Sequence, residues 1–355
     1  MKNLSINTKK AFLNYGIVIV FYIIFQSLSA GGALSNSLKG QLVPIVVYMI
    51  MAVSLNLVVG ISGELSLGHA GFMSVGAFSG VVAASCLSDV VPSPGLRLFL
   101  SILIGAIFAG IIGFLIGIPV LRLNGDYLAI VTLAFGEIIK NLLNCIYIGV
   151  DEKGLHFSGK DEASLGLTPS GYSIVKGPMG ATGINKLSTF TAAIILLIVV
   201  LVIVQNLVNS RTGRAIMAIR DNRIAAESCG LSVTKYKLTA FVISAAMAGA
   251  AGVVYGLNFS TIVPKKFDFN TSILILVFVV LGGIGNLTGS LIAAGLLTVL
   301  PELLRQFRDY RMLVYAIVLI VVMIATNNEK LKVAIAVAID KIKGKKTGKE
   351  GEANE

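Results

Sequence analysis

The chain has 355 residues, of which 55% are hydrophobic and 13% are charged. This composition excludes an ordinary soluble globular protein and is typical of an integral membrane protein. The formal net charge of +11 would suggest a nucleic-acid partner in a soluble protein. Here much of this charge lies in the ends and loops between apolar segments, where it sets the membrane orientation. It therefore does not indicate a nucleic-acid partner.

Apolar segments follow one another along the chain, and most are about 20 residues long, the length that a helix needs to cross a bilayer. The first resembles a signal peptide because small residues follow at 27–31, but it is long and further spans follow, so an uncleaved helix starting in the cytoplasm is favoured. The predicted spans are 11–30, 41–60, one ending near 87, 97–119, 127–148, 188–208, 238–257, two within 271–300, and 312–325. The chain is therefore predicted to be an all-α polytopic membrane protein with about ten transmembrane helices and both termini in the cytoplasm.

Glycines and a few polar residues interrupt the apolar pattern at several places. One break is 60–71, which contains Glu64 and His69, and another is 282–286, which divides 271–300 into two short spans. Ionisable side chains at membrane depth are costly to bury and face a cavity or a partner, which makes Glu64, Asp126 and Glu137 candidates for a translocation path. Interfacial positions for Glu64 and Asp126, a pairing of Glu137 with Lys140, and a hydrogen-bonded structural role for His69 are the alternatives. The complete candidate path is Glu64, Ser66, Gly68, His69, Asp126, Thr132, Glu137, Gly283 and Gly285.

Two long polar segments differ in net charge. Residues 149–187 carry four basic and four acidic residues, and this neutrality predicts an external loop. Residues 209–237 carry six basic and two acidic residues, which predicts a cytoplasmic loop. The loop 302–311 fits poorly, because ten spans place its arginines outside.

The cytoplasmic loop does not have the composition of a flexible linker. A helix over 215–229 would bring Ala215, Ala218, Ile219, Asn222, Ala225, Ala226 and Cys229 onto one face. A face made mostly of alanines allows another protein's backbone to come close. Gly230 follows where such a helix would end, because glycine adopts the left-handed conformation of a C-cap without a Cβ penalty.

The sequence predicts no catalytic, cofactor or metal site. The two histidines, His69 and His156, are near neither a cysteine nor each other, so no metal cluster or catalytic triad is indicated. The segment 344–350 lacks the spacing of a phosphate-binding loop and belongs to a basic cytoplasmic tail, 327–355. The chain is therefore predicted to be a single membrane domain, 1–326, that is not an enzyme.

The segment Ile224-Ala225-Ala226, three further residues and Gly230 resembles the Glu-Ala-Ala-x-x-x-Gly loop by which ABC-importer permeases dock their ATPases, with Ile224 in place of the glutamate. The surrounding residues resemble the LivM-type permeases for branched-chain amino acids, although Arg223 stands where that version is expected to have glutamate. Further similar blocks lie at 54–57, 63–71, 125–138, 267–269, 281–286 and 301–305. The resemblance covers most of 41–325 and matches least well over 151–186.

The resemblance implies one permease half of a bacterial inner-membrane ABC importer with a fold like the vitamin B12 importer (type II). Its implied partners are two cytoplasmic ATPases, a second similar permease, an extracytoplasmic binding protein that delivers leucine, isoleucine or valine, and the lipid bilayer. The implied ATPase-coupling residues are Gly213, Arg214, Ala218, Arg220, Asp221, Asn222, Ala225, Ala226 and Gly230.

Two alternative functions stay open. Permeases for urea or short amides belong to the same superfamily. An ion-coupled secondary carrier would also contain broken helices and an acid such as Glu137, but it would work without ATPases.

Overall fold

The computed structural model describes residues 6–304 except 33, 34, 89, 124, 153 and 170, together with 310, 313, 316, 317 and 320. The chain forms two compact units, Met1–Thr298 and Val299–Glu355. The elements given below belong to the first unit, apart from the last residues of the final helix. The predicted span 312–325 lies largely, and the tail 327–355 entirely, outside the described residues.

The described chain is mostly helical. Its first helices are α1 (Ile6–Ala30), α2 (Asn36–Asn56, continued by a π-helical turn, Leu57–Ser62), α3 (His69–Cys86), α4 (Pro94–Val120) and α5 (Asp126–Cys145). They are followed by α6 (Phe190–Asn209), α7 (Arg211–Asp221), α8 (Arg223–Ser228), α9 (Val233–Gly256), α10 (Phe269–Gly282) and α11 (Leu287–Leu303).

Seven helices in the described part of the chain are long and apolar enough to cross a membrane. They are Phe12–Ala30, Asn36–Ser62, His69–Cys86, Pro94–Val120, Tyr127–Cys145, Phe190–Asn209 and Val233–Gly256. The predicted division of 271–300 is present as α10 and α11, which have 14 and 17 residues and are joined by a short glycine-containing turn. The count of about ten spans remains a prediction.

The expectation of an all-α chain is wrong for the polar segment after α5. That segment contains β1 (Tyr147–Asp151), β2 (Gly154–Ser158), β3 (Tyr172–Lys176) and β4 (Ala181–Thr182), and β5 (Thr261–Ile262) follows α9. The strands form one antiparallel sheet in the order β2-β1-β3-β4-β5. Its longer strands contain aromatic and β-branched residues, such as Tyr147, Ile148 and Val150, a composition that favours strands. Their shortness and the surrounding polar residues concealed this pattern in the sequence.

The helix α9 lies at the centre of the bundle, against α2, α3 and α4. Small residues make this arrangement possible, because a Cβ on Gly249 would overlap Ala109 and a Cβ on Gly252 would overlap the Met73 carbonyl. Such faces let helices approach closely in lipid, where dispersion contacts replace the hydrophobic effect as the source of association.

The two ends of the bundle are distinct because α9 follows the α7–α8 segment and precedes β5. We call them the hairpin end, which carries α7 and α8, and the sheet end, which carries the five strands. The helix α6 runs from the sheet end to the hairpin end. The end of α2 lies at the hairpin end, because it contacts α7. The end of α5 lies at the sheet end, because β1 follows it directly.

Candidate functional site

The polar loop between α6 and α9 folds into a hairpin of two short helices, which we call the α7–α8 hairpin. The predicted single helix over 215–229 is wrong, because the chain breaks at Asn222, whose backbone is extended at φ −153°. The Asn222 side chain accepts a hydrogen bond from the Ala225 amide at 3.0 Å and so caps the start of α8. Ser210 caps α7 in the same way by accepting from the Gly213 amide at 3.1 Å.

The hairpin is anchored to the bundle by an apolar side that differs from the predicted alanine face. Ile219 and Ala226 are buried with Val233 at the start of α9, and Leu231 and Tyr236 pack against them. Gly213 has no room for a side chain, because a Cβ there would overlap the Leu207 and Val208 carbonyls at the end of α6. The hairpin is therefore fixed to the two helices that it connects.

The outer side of the hairpin is exposed. Ala218, Ala225 and Cys229, which the sequence placed on the same face as Ile219 and Ala226, belong to this outer side. For Ala225 and Cys229 the reason is the break at Asn222, which changes the phase of the second helix. Ile224 is 78% exposed, the highest value among the large hydrophobic side chains of the described residues. Gly230 adopts φ 80°, and its amide donates to the Glu227 carbonyl at 2.9 Å, which ends α8 as expected for a C-cap glycine.

Arg220 connects the hairpin to the broken end of α2. Its Nη1 donates a hydrogen bond to the Gly60 carbonyl at 2.8 Å, while its Nε and Nη2 donate to Asp221 Oδ1 at 3.0 and 2.8 Å. A π-helical turn leaves carbonyls without their usual partners, so a guanidinium from outside the helix can satisfy one of them. Gly63, which ends this turn at φ 76°, lies under the arginine, since a Cβ there would come within 2.6 Å of Arg220 Cγ.

The same turn of α2 also contacts the turn between α10 and α11. The buried Asn56 side chain accepts from the Gly285 amide at 2.9 Å and donates to Ser290 Oγ at 3.0 Å. A Cβ on Gly60 would overlap both Asn56 Oδ1 and the Gly285 nitrogen. Gly60 is therefore a point of close approach between α2 and the Gly283–Gly285 turn, with Arg220 bound to its carbonyl.

A buried ion pair lies beside this junction. Glu64 is only 7% exposed, and its carboxylate pairs with the ammonium group of Lys237 near the start of α9. An unpaired carboxylate at this depth would carry a large desolvation cost, which the pair offsets. Glu64 thus joins the broken segment after α2 to α9 in the described structure.

A second group of polar contacts lies where the broken segment enters α3. The Leu67 amide donates to Thr132 Oγ1 at 3.0 Å, and the Ala70 amide donates to Ser272 Oγ at 3.1 Å. Gly68 lies directly against α5, because a Cβ there would overlap the Thr132 carbonyl. The start of α3 is thereby held between α5 and α10.

His69 is held between neighbouring helices in this arrangement. It is buried, and its Nε2 lies 2.7 Å from Ser54 Oγ on α2. Ser244 Oγ of α9 donates to the Ser54 carbonyl at 2.6 Å, which extends the contact to a third helix. Ser66, in contrast, is buried with a hydroxyl that has no hydrogen-bond partner among the described residues.

A narrow cleft opens beside the start of α3. Its walls come from the broken segment, the middle of α5 and the start of α10. They are Leu67, Gly71, Leu133, Gly136, Glu137, Phe267, Asp268, Phe269 and Ser272. Of the predicted path residues, Glu137 lines this cleft and carries an ion pair with Lys140.

The predicted path residues thus fall into two groups rather than one. Glu64, Gly283 and Gly285 lie at the hairpin end, whereas Gly68, Thr132 and Glu137 lie at or beside the cleft, and the side chain of Asp126 is not described. Sequence reasoning did not include Asn56, Gly60, Ser272, Ser290 or Lys237 among the site residues. An asparagine inside an apolar run was the signal available for Asn56, and the glycine-containing break at 60–71 was the signal for Gly60. Ser272, Ser290 and Lys237 gave none, because their partners are distant in sequence.

Apolar helices long enough to span a bilayer, broken helices that meet at glycines, and a basic hairpin bound to one break define a polytopic membrane transport protein. Residues 37–323 match the family described as branched-chain amino acid transport system / permease component, and the chain belongs to this family.

Two curated relatives are 37% identical over 287 residues, which is 78% of this chain and 66% of each relative. Both are named high-affinity branched-chain amino acid transport system permease protein LivM, from Salmonella typhimurium and Escherichia coli. A probable branched-chain amino acid transport permease protein LivM from Methanocaldococcus jannaschii is 26% identical over 278 residues, 70% of this chain and 75% of that protein. The chain spans slightly less than two thirds of the length of the first two relatives. No solved structure matches the chain.

Proposed function

We propose that this chain is a permease subunit of an ABC importer that moves branched-chain amino acids into the cytoplasm, driven by separate ATPase subunits. Membership of the permease family and the names of the LivM relatives support this solute class. The proposal places the hairpin end in the cytoplasm of a bacterial cell and the sheet end outside, in agreement with the basic residues of the hairpin. Both termini are then cytoplasmic.

The ATPases dock on the outer side of the α7–α8 hairpin. That side is exposed and combines basic residues with a protruding apolar residue, Ile224. The other side is held by Ile219 and Ala226, so that force applied to the outer side moves the hairpin as a unit. A second, similar permease and an extracytoplasmic binding protein complete the assembly, and the membrane domain has the architecture of the vitamin B12-importer-like permeases.

The bond from Arg220 to the Gly60 carbonyl carries the mechanistic part of the proposal. ATP-driven closure of the ATPases displaces the hairpin, and Arg220 transmits the displacement to the π-helical turn of α2. Because Gly60 touches the Gly283–Gly285 turn, the same displacement reaches the α10–α11 pair. The inward-open and outward-open states of the permease then make different contacts at the hairpin. A docked partner can shift the population between two states only if its contacts with them differ.

Docking is tested by co-purifying the ATPases with this chain and its partner permease in detergent. An Ile224→Arg variant is expected to lose the ATPases, because it adds a positive charge at the position where the docking loops of ABC-importer permeases carry a glutamate. Val90→Arg is the matched control, since Val90 is 74% exposed on the loop between α3 and α4, at the opposite end of the bundle. Substitutions at the buried Ala226 are unsuitable, because they would disturb the fold of the hairpin.

Retention of the ATPases by wild type and by Val90→Arg, with their loss from Ile224→Arg, is the expected result. If a folded wild-type complex never retains an ATPase, the importer proposal fails and an ion-coupled carrier becomes the better account.

A further inference from the structure

The cleft beside α3 combines two kinds of surface at membrane depth. One is apolar and is formed by Leu67, Leu133, Phe267 and Phe269, while Gly71 and Gly136 leave space between them. The other is acidic and is formed by Glu137 and Asp268. Ligand sites are commonly apolar pockets with a few convergent polar groups, and this cleft has that composition.

The cleft lies near the middle of the membrane-spanning part of α5. Glu137 is about 17 Å along α5 from Asp126, at about 1.5 Å per residue. That distance is about half of a hydrocarbon core of about 30 Å. Charged groups at this depth are costly and characteristically mark the path of a solute.

The two carboxylates of the cleft differ in what already binds them. Asp268 caps α10 by accepting from the Thr271 amide at 3.0 Å, and it also accepts from the Asn270 side chain at 3.0 Å. Its charge is therefore used to begin the helix. Glu137 instead pairs with Lys140, one turn further along α5, and the two side chains are 33% and 19% exposed.

We propose that the Glu137–Lys140 pair is the recognition site for the zwitterionic end of an aliphatic amino acid in the translocation path. Glu137 binds the ammonium group, Lys140 binds the carboxylate, and the alkyl side chain lies against Leu67, Leu133, Phe267 and Phe269. This inference rests on the proposed function and identifies the part of the path that contacts the solute.

The charge balance of the exchange makes it possible at this depth. One ion pair between two side chains is replaced by two ion pairs with the solute, so the number of unpaired charges stays at zero throughout. A solute with a single charge would leave either Glu137 or Lys140 without a partner. A neutral amide or urea carries no charge with which to separate the pair, so the site discriminates against such solutes by the groups that it would leave unsatisfied.

The test uses the complete transporter in proteoliposomes with its binding protein, and measures both leucine uptake and ATP hydrolysis. Glu137→Gln and Lys140→Met are each expected to lower uptake by roughly ten- to a hundredfold, the range for losing a charged hydrogen-bond partner. The double variant restores charge balance within the protein. Leucine uptake by the double variant is nevertheless expected to stay low. If the pair were purely structural, the double variant would recover uptake. Changing Lys176→Met together with Glu162→Gln removes an ion pair of 2.9 Å outside the cleft and serves as the matched control.

A second readout does not depend on the selectivity of the binding protein. Leu133→Cys, in a chain whose Cys86, Cys145 and Cys229 are replaced by serine, reports access of a thiol reagent to the cleft. Leucine is expected to protect this cysteine, the deaminated analogue 4-methylpentanoate is not, and protection is lost with Glu137→Gln.

The outcomes separate this inference from the proposed function. If wild type imports leucine but the double variant imports it equally well, or if 4-methylpentanoate protects as well as leucine, the zwitterion site is wrong and the importer stands. If the wild-type complex imports no leucine, the proposed function fails and this inference fails with it.

Discussion

Gly60 is tightly constrained at the hairpin end of the molecule. Its carbonyl accepts from Arg220, and its α-carbon faces Asn56 Oδ1 and the Gly285 nitrogen so closely that no side chain fits. Overpacking of such a contact displaces backbone rather than a flexible side chain, which makes it costly.

Gly60→Ala is therefore expected to destabilise the protein by about 1–3 kcal/mol, the usual cost of overpacking. The measurement is the thermal unfolding midpoint of the purified chain in detergent. Gly40→Ala is the control within the same helix, because a Cβ there meets nothing within 4 Å. Alanine at that position is expected to leave the midpoint unchanged or to raise it slightly. Equal midpoints for the two variants would show that the close approach at Gly60 does not exist.

At the scale of elements, the α7–α8 hairpin depends on its break. Asn222 ends α7 and begins α8, and the change of direction turns Ala225 and Ile224 outward while Ala226 stays buried. A continuous helix would have presented a different set of residues to a docked partner. The break is therefore part of the docking surface.

Asn222→Ala removes the cap of α8 and is expected to cost about 1 kcal/mol of local stability. Since α8 has six residues, this loss is enough to disorder it, and we expect weaker ATPase binding in a titration of the complex. Asn222→Asp keeps a side-chain oxygen for the Ala225 amide and is expected to retain the wild-type affinity. Equal affinity of the alanine and aspartate variants would contradict a role for the cap.

The elements also show how far the sequence alone could predict this protein. The predicted span 188–208 corresponds to Phe190–Asn209, and 238–257 to Val233–Gly256, because long apolar runs leave few alternatives. The sheet was missed because its strands are at most five residues long and lie among polar residues. The helix over 215–229 was wrong because the capping tendency of Asn222 outweighed the helical periodicity.

The candidate site was less predictable than the fold. The pairing of Glu137 with Lys140 was foreseen because the two residues are three apart on one helix. The bond from Arg220 to Gly60 and the pair Glu64–Lys237 join residues that are far apart in sequence, and nothing in their local sequence specifies a partner.

On the scale of the whole molecule, a chain of contacts begins at the hairpin end. It runs from the outer side of the hairpin through Arg220 to Gly60, and from there to the Gly283–Gly285 turn. The segment that follows Gly60 leads through Glu64 and Gly68 to the cleft at the start of α3. Movement of the hairpin can thus reach the proposed solute path through the broken segment between α2 and α3.

The most direct test of this account compares leucine uptake with ATP hydrolysis in proteoliposomes containing the complete transporter with Arg220→Ala. Because the variant loses the bond to Gly60 but keeps the exposed docking side, we expect it to retain the ATPases and hydrolyse ATP. Its uptake is expected to fall by roughly ten- to a hundredfold, as for other lost charged hydrogen bonds. Arg122→Ala is the control, since Arg122 is exposed and follows α4, outside the hairpin. Uptake by Arg220→Ala equal to that of wild type, at equal ATP hydrolysis, would contradict the account.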